Sequence, residues 1–133
     1  MTDTDKKRIA EIAKKHGLAL VVLFGSQATG HTHKKSDVDI GFISDRAIDY
    51  RENYEVSTEL ARIFKNQDVE LVNLGNVSPE LKKQVADQGI VLYEADSMIF
   101  DLFKVHAFRV YIDTKPLRFY RDARLKDFIQ KYV

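Results

Sequence analysis

The chain has 133 residues and 15.3 kDa, is 44% hydrophobic and 31% charged, and reads as one ordinary soluble globular domain rather than a disordered or low-complexity chain. It holds no cysteine, which excludes a disulfide framework, a thiolate metal site and a Cys nucleophile. Net charge is only +1, but Lys104–Val133 carries eight Lys or Arg against three Asp, while the remainder carries 13 basic and 17 acidic residues. Such a basic end suits an anionic partner, or it merely solvates the outer face of terminal helices.

The N-terminus, MTDTDKKRIAEIAKK, is charged and lacks the apolar stretch of a signal peptide, so a cytoplasmic location is expected. Ile9, Ile12 and Ala13 recur at helical spacing behind the N-cap residues Thr2, Asp3 and Thr4, and Gly17 is a natural stop. A helix from about Asp5 to His16 follows. Leu18–Phe24 is a continuous β-prone run, which predicts a strand buried on both faces and is far too short to span a bilayer. Val38–Ile43 is the second strand, and a helix over about 50–64 is expected to turn Tyr54, Leu60, Ala61 and Phe64 inward. Val69–Leu74 is the third strand. Ser78 and Pro79 open a helix that stops at Gly89, before a short strand Ile90–Tyr93. From Ser97 a stripe of Phe100 or Phe103, Leu102, Val105, Phe108 and Ile112 predicts a long helix to about Thr114. Pro116 should break it, and a basic helix finishes the chain. The order α-β-β-α-β-α-β-α-α predicts a single α/β domain over 1–133, with a core of about 1–95 and a helical extension of about 97–133.

The chemistry concentrates in Gly25-Ser26 and, ten residues on, Asp37-Val38-Asp39. Two residues apart on a strand, Asp37 and Asp39 leave on the same face, while Val38 and Ile40 point into the core. Adjacent carboxylates repel unless a cation sits between them, and oxygen ligands on a rigid strand suit Mg²⁺. A lone Asp-x-Asp at a strand start is more often a plain turn, so the pair needs its context. A buried strand ending in Gly-Ser, turning into a short helix, aims backbone N–H groups and a hydroxyl at one point, as a phosphate tail requires.

A third carboxylate is expected from the neighbouring strand. Val69 and Leu71 face the core there by alternation, so Asp68 and Glu70 share the other face. Glu70, flanked by apolar residues, is the stronger candidate; Asp68 looks like a strand-start residue. Three carboxylates around two metals would serve a displacement at phosphorus. A rival reading, a Walker A loop at Gly25–Thr32, fails because His31 stands where the phosphate-binding Lys belongs. His31 and His33 alone are weak evidence for zinc, and His106 falls on a helix stripe as a packed residue. Tyr111, Tyr120 and Tyr132 serve as core, partner contacts or modification sites.

Taken together, LFGSQATG, SDVDIGFI, VELV and SPELKKQVADQGIVLYE resemble the minimal nucleotidyltransferase (MNT) family, small relatives of DNA polymerase β marked by Gly-Ser, ten residues and Asp-x-Asp. The resemblance runs from about Ile9 to Tyr93 and more loosely to the end. It implies the DNA polymerase β-like nucleotidyltransferase fold, a small mixed sheet flanked by helices, with the C-terminal helical extension. It also implies Mg-dependent transfer of AMP from ATP. Many members are antitoxins encoded beside a HEPN ribonuclease toxin, which they silence by adenylylating a tyrosine.

Carried over, Gly25 and Ser26 hold the triphosphate, Asp37 and Asp39 bind Mg²⁺, and Glu70 completes the metal site and assists removal of the hydroxyl proton. Many members read GSRARG, whereas this chain has Gln27 and Thr29; Lys34 and Lys35 either replace those arginines, with Lys35 assigned to the nucleotide, or belong to a solvated loop. The implied partner is a HEPN toxin in a hetero-oligomer, with no membrane and no direct nucleic-acid binding. Two alternatives stand beside this reading: an antitoxin that only masks its partner, and a small-molecule nucleotidyltransferase of the aminoglycoside type. The latter usually needs a second domain for which 133 residues leave little room.

Overall fold

A computed structural model describes residues 1–30, 37–65 and 68–133. The elements run α1 (Asp3–His16), β1 (Leu18–Phe24), α2 (Ser26–Thr29), β2 (Val38–Ser44), α3 (Tyr50–Phe64), β3 (Val69–Asn73), α4 (Pro79–Gln88), β4 (Ile90–Glu94), α5 (Ile99–Asp113) and α6 (Lys115–Tyr132). The expected order holds, with the four-residue α2 added between the first two strands.

Local chemistry sets most boundaries. Thr2 caps α1 through a capping box with Asp5, and Gly17 ends it in the left-handed conformation at φ 71°. Asp49 caps α3 and Ser78 caps α4, with Pro79 in its first turn.

The four strands form a mixed sheet in the order β3-β2-β1-β4. β1 pairs antiparallel with both β2 and β4, and β2 pairs parallel with β3. β1 is therefore interior, and its unbroken apolar run is explained by cover on both faces. Val21 and Leu23 pack with Ile40 and Phe42 against Ile9 and Ala13 of α1 and Val56, Leu60 and Ile63 of α3. Leu20, Val22 and Phe24 pack on the opposite face against Val85 of α4 and Phe100, Phe103 and Ala107 of α5. α4 and α5 lie mainly over β1 and β4.

Two expected stripes are corrected. In α3 the buried positions are Val56, Leu60 and Ile63, whereas Tyr54 is exposed. The helix meets both α1 and β3, so its inner face keeps the expected Leu60 and adds Val56 and Ile63. In α5 the core takes Phe100, Phe103 and Ala107, while Leu102, Val105, Phe108 and Ile112 are all about half or more exposed. Both rows have helical spacing, and the row that carries the small Ala107 is the one buried with Val85 of α4. His106 is exposed rather than packed, its Nε2 3.1 Å from Lys82 Nζ of α4. Among the described residues no helix is long and apolar enough to cross a membrane.

Candidate active site

The site is built at the end of β1. Phe24 lies opposite Asp39 in the antiparallel β1–β2 ladder, and Asp39 lies beside Glu70 in the parallel β2–β3 ladder. The same alternation that sends Val38 and Ile40 into the α1–α3 core turns Asp39 to the other face. On β3, Val72 joins the α4–α5 core, so Glu70, two residues before it, shares Asp39's face. Because α4 and α5 sit mainly over β1 and β4, this face is left open toward the β2–β3 edge.

Gly25 is what allows the chain to turn there. Its φ is 75°, and a Cβ would overlap the Asp39 carboxylate oxygen, so the residue is required both by backbone geometry and by space. Ser26 starts α2 directly after this turn, and the Ala28 N–H donates back to the Gly25 carbonyl at 3.1 Å. Gly25, Ser26 and Asp39 are thereby brought to one place.

Asp37 is exposed and stands one residue before β2. Asp68 uses its carbonyl to accept from Val38 N–H at 2.9 Å, anchoring the start of the parallel pair. Asp37, Asp68, Val69 and Glu70 line an open cleft of about 270 Å³. Lys35, with Lys34, His31 and His33, lies outside the described residues.

The electrostatics are those of crowded like charges. Burial pushes the Asp39 carboxyl above the usual carboxylate range, and the negative charges of Glu70 and then Asp37 push it further, as does a hydrogen bond with Glu70. The parallel register sets Glu70, rather than Asp68, directly beside Asp39. Among the described residues no three carboxylate or imidazole side chains close into a ready-made metal cage. The donor set nonetheless fits a hard cation: all-oxygen ligands, excess negative charge and an open side. Mg²⁺ keeps several waters and takes phosphate oxygens, so one or two protein carboxylates suffice.

An α/β fold whose central strand ends in Gly-Ser beside paired carboxylates defines a nucleotidyl-transfer scaffold. A family model described as "Polymerase beta, Nucleotidyltransferase" matches residues 7–98, and the chain belongs to that family. Two relatives bear the name protein adenylyltransferase MntA. One, from Shewanella oneidensis, is 37% identical over 76 residues, 57% of this chain and 54% of that protein; the chain thus spans about half of that relative's length. The other, from Aphanizomenon flos-aquae, is 30% identical over 129 residues, 86% of this chain and 83% of that protein.

Solved structures agree on the fold. A toxin–antitoxin structure with AMP-PNP superimposes with TM-score 0.74 at 29% identity, covering 93% of this chain and 98% of that one. A complex of tri-AMPylated Shewanella oneidensis HEPN toxin with MNT antitoxin gives TM-score 0.70 at 27% identity, covering 97% of this chain and 99% of that one.

Proposed function

We propose that this protein is an antitoxin that works as a protein adenylyltransferase, moving AMP from ATP to a tyrosine hydroxyl of a HEPN toxin and so neutralising it. The observation that carries the reading is the Asp39 carboxylate, wedged against Gly25 on one side and against Glu70 on the other. Likeness to chains solved with AMP-PNP and with a tri-AMPylated HEPN toxin supports the donor and the acceptor.

In this reading Gly25 and Ser26 hold the triphosphate, Lys35 helps to neutralise it, and Asp37, Asp39 and Glu70 hold Mg²⁺. The ion, when bound, neutralises charge on the phosphates and on the leaving diphosphate. Glu70, exposed at the edge strand, receives the proton of the acceptor hydroxyl. The acceptor oxygen bonds to the α-phosphorus as the bond to the diphosphate breaks, leaving AMP on the tyrosine and releasing diphosphate. In this reading the open side of the cleft is where the protein substrate enters. ATP as donor suits a cytoplasmic site of action.

The test is incubation of the protein with ATP, Mg²⁺ and its HEPN partner, followed by mass spectrometry and a ribonuclease assay. AMP on a toxin tyrosine with loss of ribonuclease activity is expected. Neutralisation that survives Asp39→Asn, with no AMP transferred, would make the chain a masking antitoxin instead.

A further inference from the structure

Helix α6 is at odds with the rest of the molecule. It is 18 residues long and buries no side chain. Most helical stability in proteins comes from packing an apolar face. Here no apolar face is buried. Phe119 and Phe128 are nine residues apart, two and a half turns, and so lie on opposite sides of the helix; they are 79% and 55% exposed. Leu117, Leu125, Ile129 and Tyr132 are exposed as well.

The helix is nevertheless held at a fixed elbow. The Arg118 guanidinium stacks 3.8 Å from the Tyr111 ring, donates to the Tyr111 carbonyl at 2.8 Å and reaches Thr114 Oγ1 at 2.5 Å. Lys83 of α4 lies over the same ring at 5.6 Å, and Arg121 reaches Glu80 of α4 at 3.5 Å. Arg118 and Arg121 thus set the direction of the arm.

Resting on the antitoxin reading above, we propose that α6 is a docking arm that an acidic, apolar-lined groove of the HEPN toxin grips around its circumference. Three observations select that occupant. Lys115–Tyr132 carries six basic and two acidic residues, so two copies of the arm repel each other, and Arg121 and Arg124 interrupt the row that Leu117, Leu125 and Phe128 would offer a symmetric partner. The exposed leucines and isoleucine gain nothing from a nucleic acid backbone but much from an apolar groove. Finally, the family model ends at residue 98, before α5, whereas the match to the MNT antitoxin complex with HEPN toxin covers 97% of this chain, which leaves too few residues over to omit α6. The arm lies outside the family's shared catalytic fold and is kept in a chain that holds a toxin.

Phe119→Glu and Phe128→Glu, made singly in the full-length chain, test this. Affinity for the HEPN protein is measured by calorimetry, with melting temperature and ATP–Mg²⁺ binding as folding and site controls, and with single-stranded RNA and self-association as comparison probes. Each variant should lose at least about 30-fold in toxin affinity, the scale of an interface anchor, with the controls unchanged. Native affinity in both variants overturns the proposal, and a loss in only one overturns the grip around the circumference. RNA binding or self-association that disappears in the variants, with toxin affinity intact, assigns the arm to that other occupant and also overturns it. If the unmodified chain neither binds nor modifies the HEPN protein, the antitoxin reading itself fails, a result distinguishable from these because it needs no variant.

Discussion

The two ends of β2 handle charge in opposite ways. At its start, Asp39 is crowded by Glu70 and Asp37, all of one sign, and its carboxyl is forced up. Beyond its end, charges of opposite sign are matched. Arg46 forks onto Glu52 at 2.8 and 2.5 Å, and the buried His16 meets Glu52 through Nδ1 at 2.8 Å and Glu59 through Nε2 at 3.5 Å. Lys15 completes the set on Glu59 at 3.3 Å. The Arg46 hydrogen bond, then that of His16, holds the Glu52 carboxyl down to about 2. One end ties α1 to α3 and serves the fold. The other is left under electrostatic strain, which on the proposed function a cation and a nucleotide would relieve.

Breaking the strained end should have the largest effect. Asp39→Asn is nearly isosteric, so the fold should survive while transfer drops by roughly 10³-fold, several kcal/mol of charge stabilisation being lost. Steady-state labelling of the HEPN toxin measures it; labelling at the native rate would remove Asp39 from the site. The same variant should gain stability without metal. The Asp39 carboxyl titrates higher in the folded chain than the usual 3.8, so its favourable contribution exists below that pH and is lost as pH rises through the raised value. Metal-free Asp39→Asn should therefore melt above the unmodified protein at pH 7, with the gap closing toward pH 3.

Next in size is the choice of third carboxylate. Glu70→Gln should cut transfer by roughly 10²-fold, the scale of one misplaced proton-transfer group, and Asp68→Asn should have far less effect. The reverse ranking would move the role to Asp68.

Ligand should relieve the same strain in the intact protein. At a hundred times its dissociation constant, ATP with Mg²⁺ should add about 2.7 kcal/mol, a rise in melting temperature of roughly 10 °C, and more than either alone. No rise with the pair would mean that the carboxylates bind nothing.

The smallest effect belongs to the paired end. Since the folded Glu52 carboxyl is depressed, its contribution is present above the ordinary 4.5 and is lost as pH falls toward about 2. Glu52→Gln should melt lower than the unmodified protein at pH 7, and the difference should shrink on acidification through that window. A pH-independent difference would mean that packing, not charge, accounts for Glu52.

Much of the geometry of the candidate site was legible beforehand because its signals are local. Gly25-Ser26 and Asp37-Val38-Asp39 are short, their backbone demands are strong, and alternation places Asp39 and Glu70 on the open face with no knowledge of the sheet order. The paired end left no such trace. His16 and Glu52 are 36 residues apart, and His16 reads as an ordinary helix terminus until α1 and α3 are laid side by side.

Helical stripes failed for a related reason. In α5 the row Leu102–Val105–Phe108–Ile112 and the row Phe100–Phe103–Ala107 are equally periodic, and periodicity says nothing about which one meets α4. Within the basic end, Arg118 closes the elbow on Tyr111, a contact that no periodicity announces.

Sequence by itself determined the helix stop at Gly17, the helix start at Ser78, the buried central strand and the Gly-Ser and Asp-x-Asp pair, since capping, glycine conformation and strand alternation act over a few residues. Only the tertiary structure decided that Glu70 rather than Asp68 stands beside Asp39, that His16 is buried between two glutamates, and that α6 buries none of its side chains. Those facts depend on ladder register and on which faces meet, and both are set by the summed burial of the whole core rather than by any single segment.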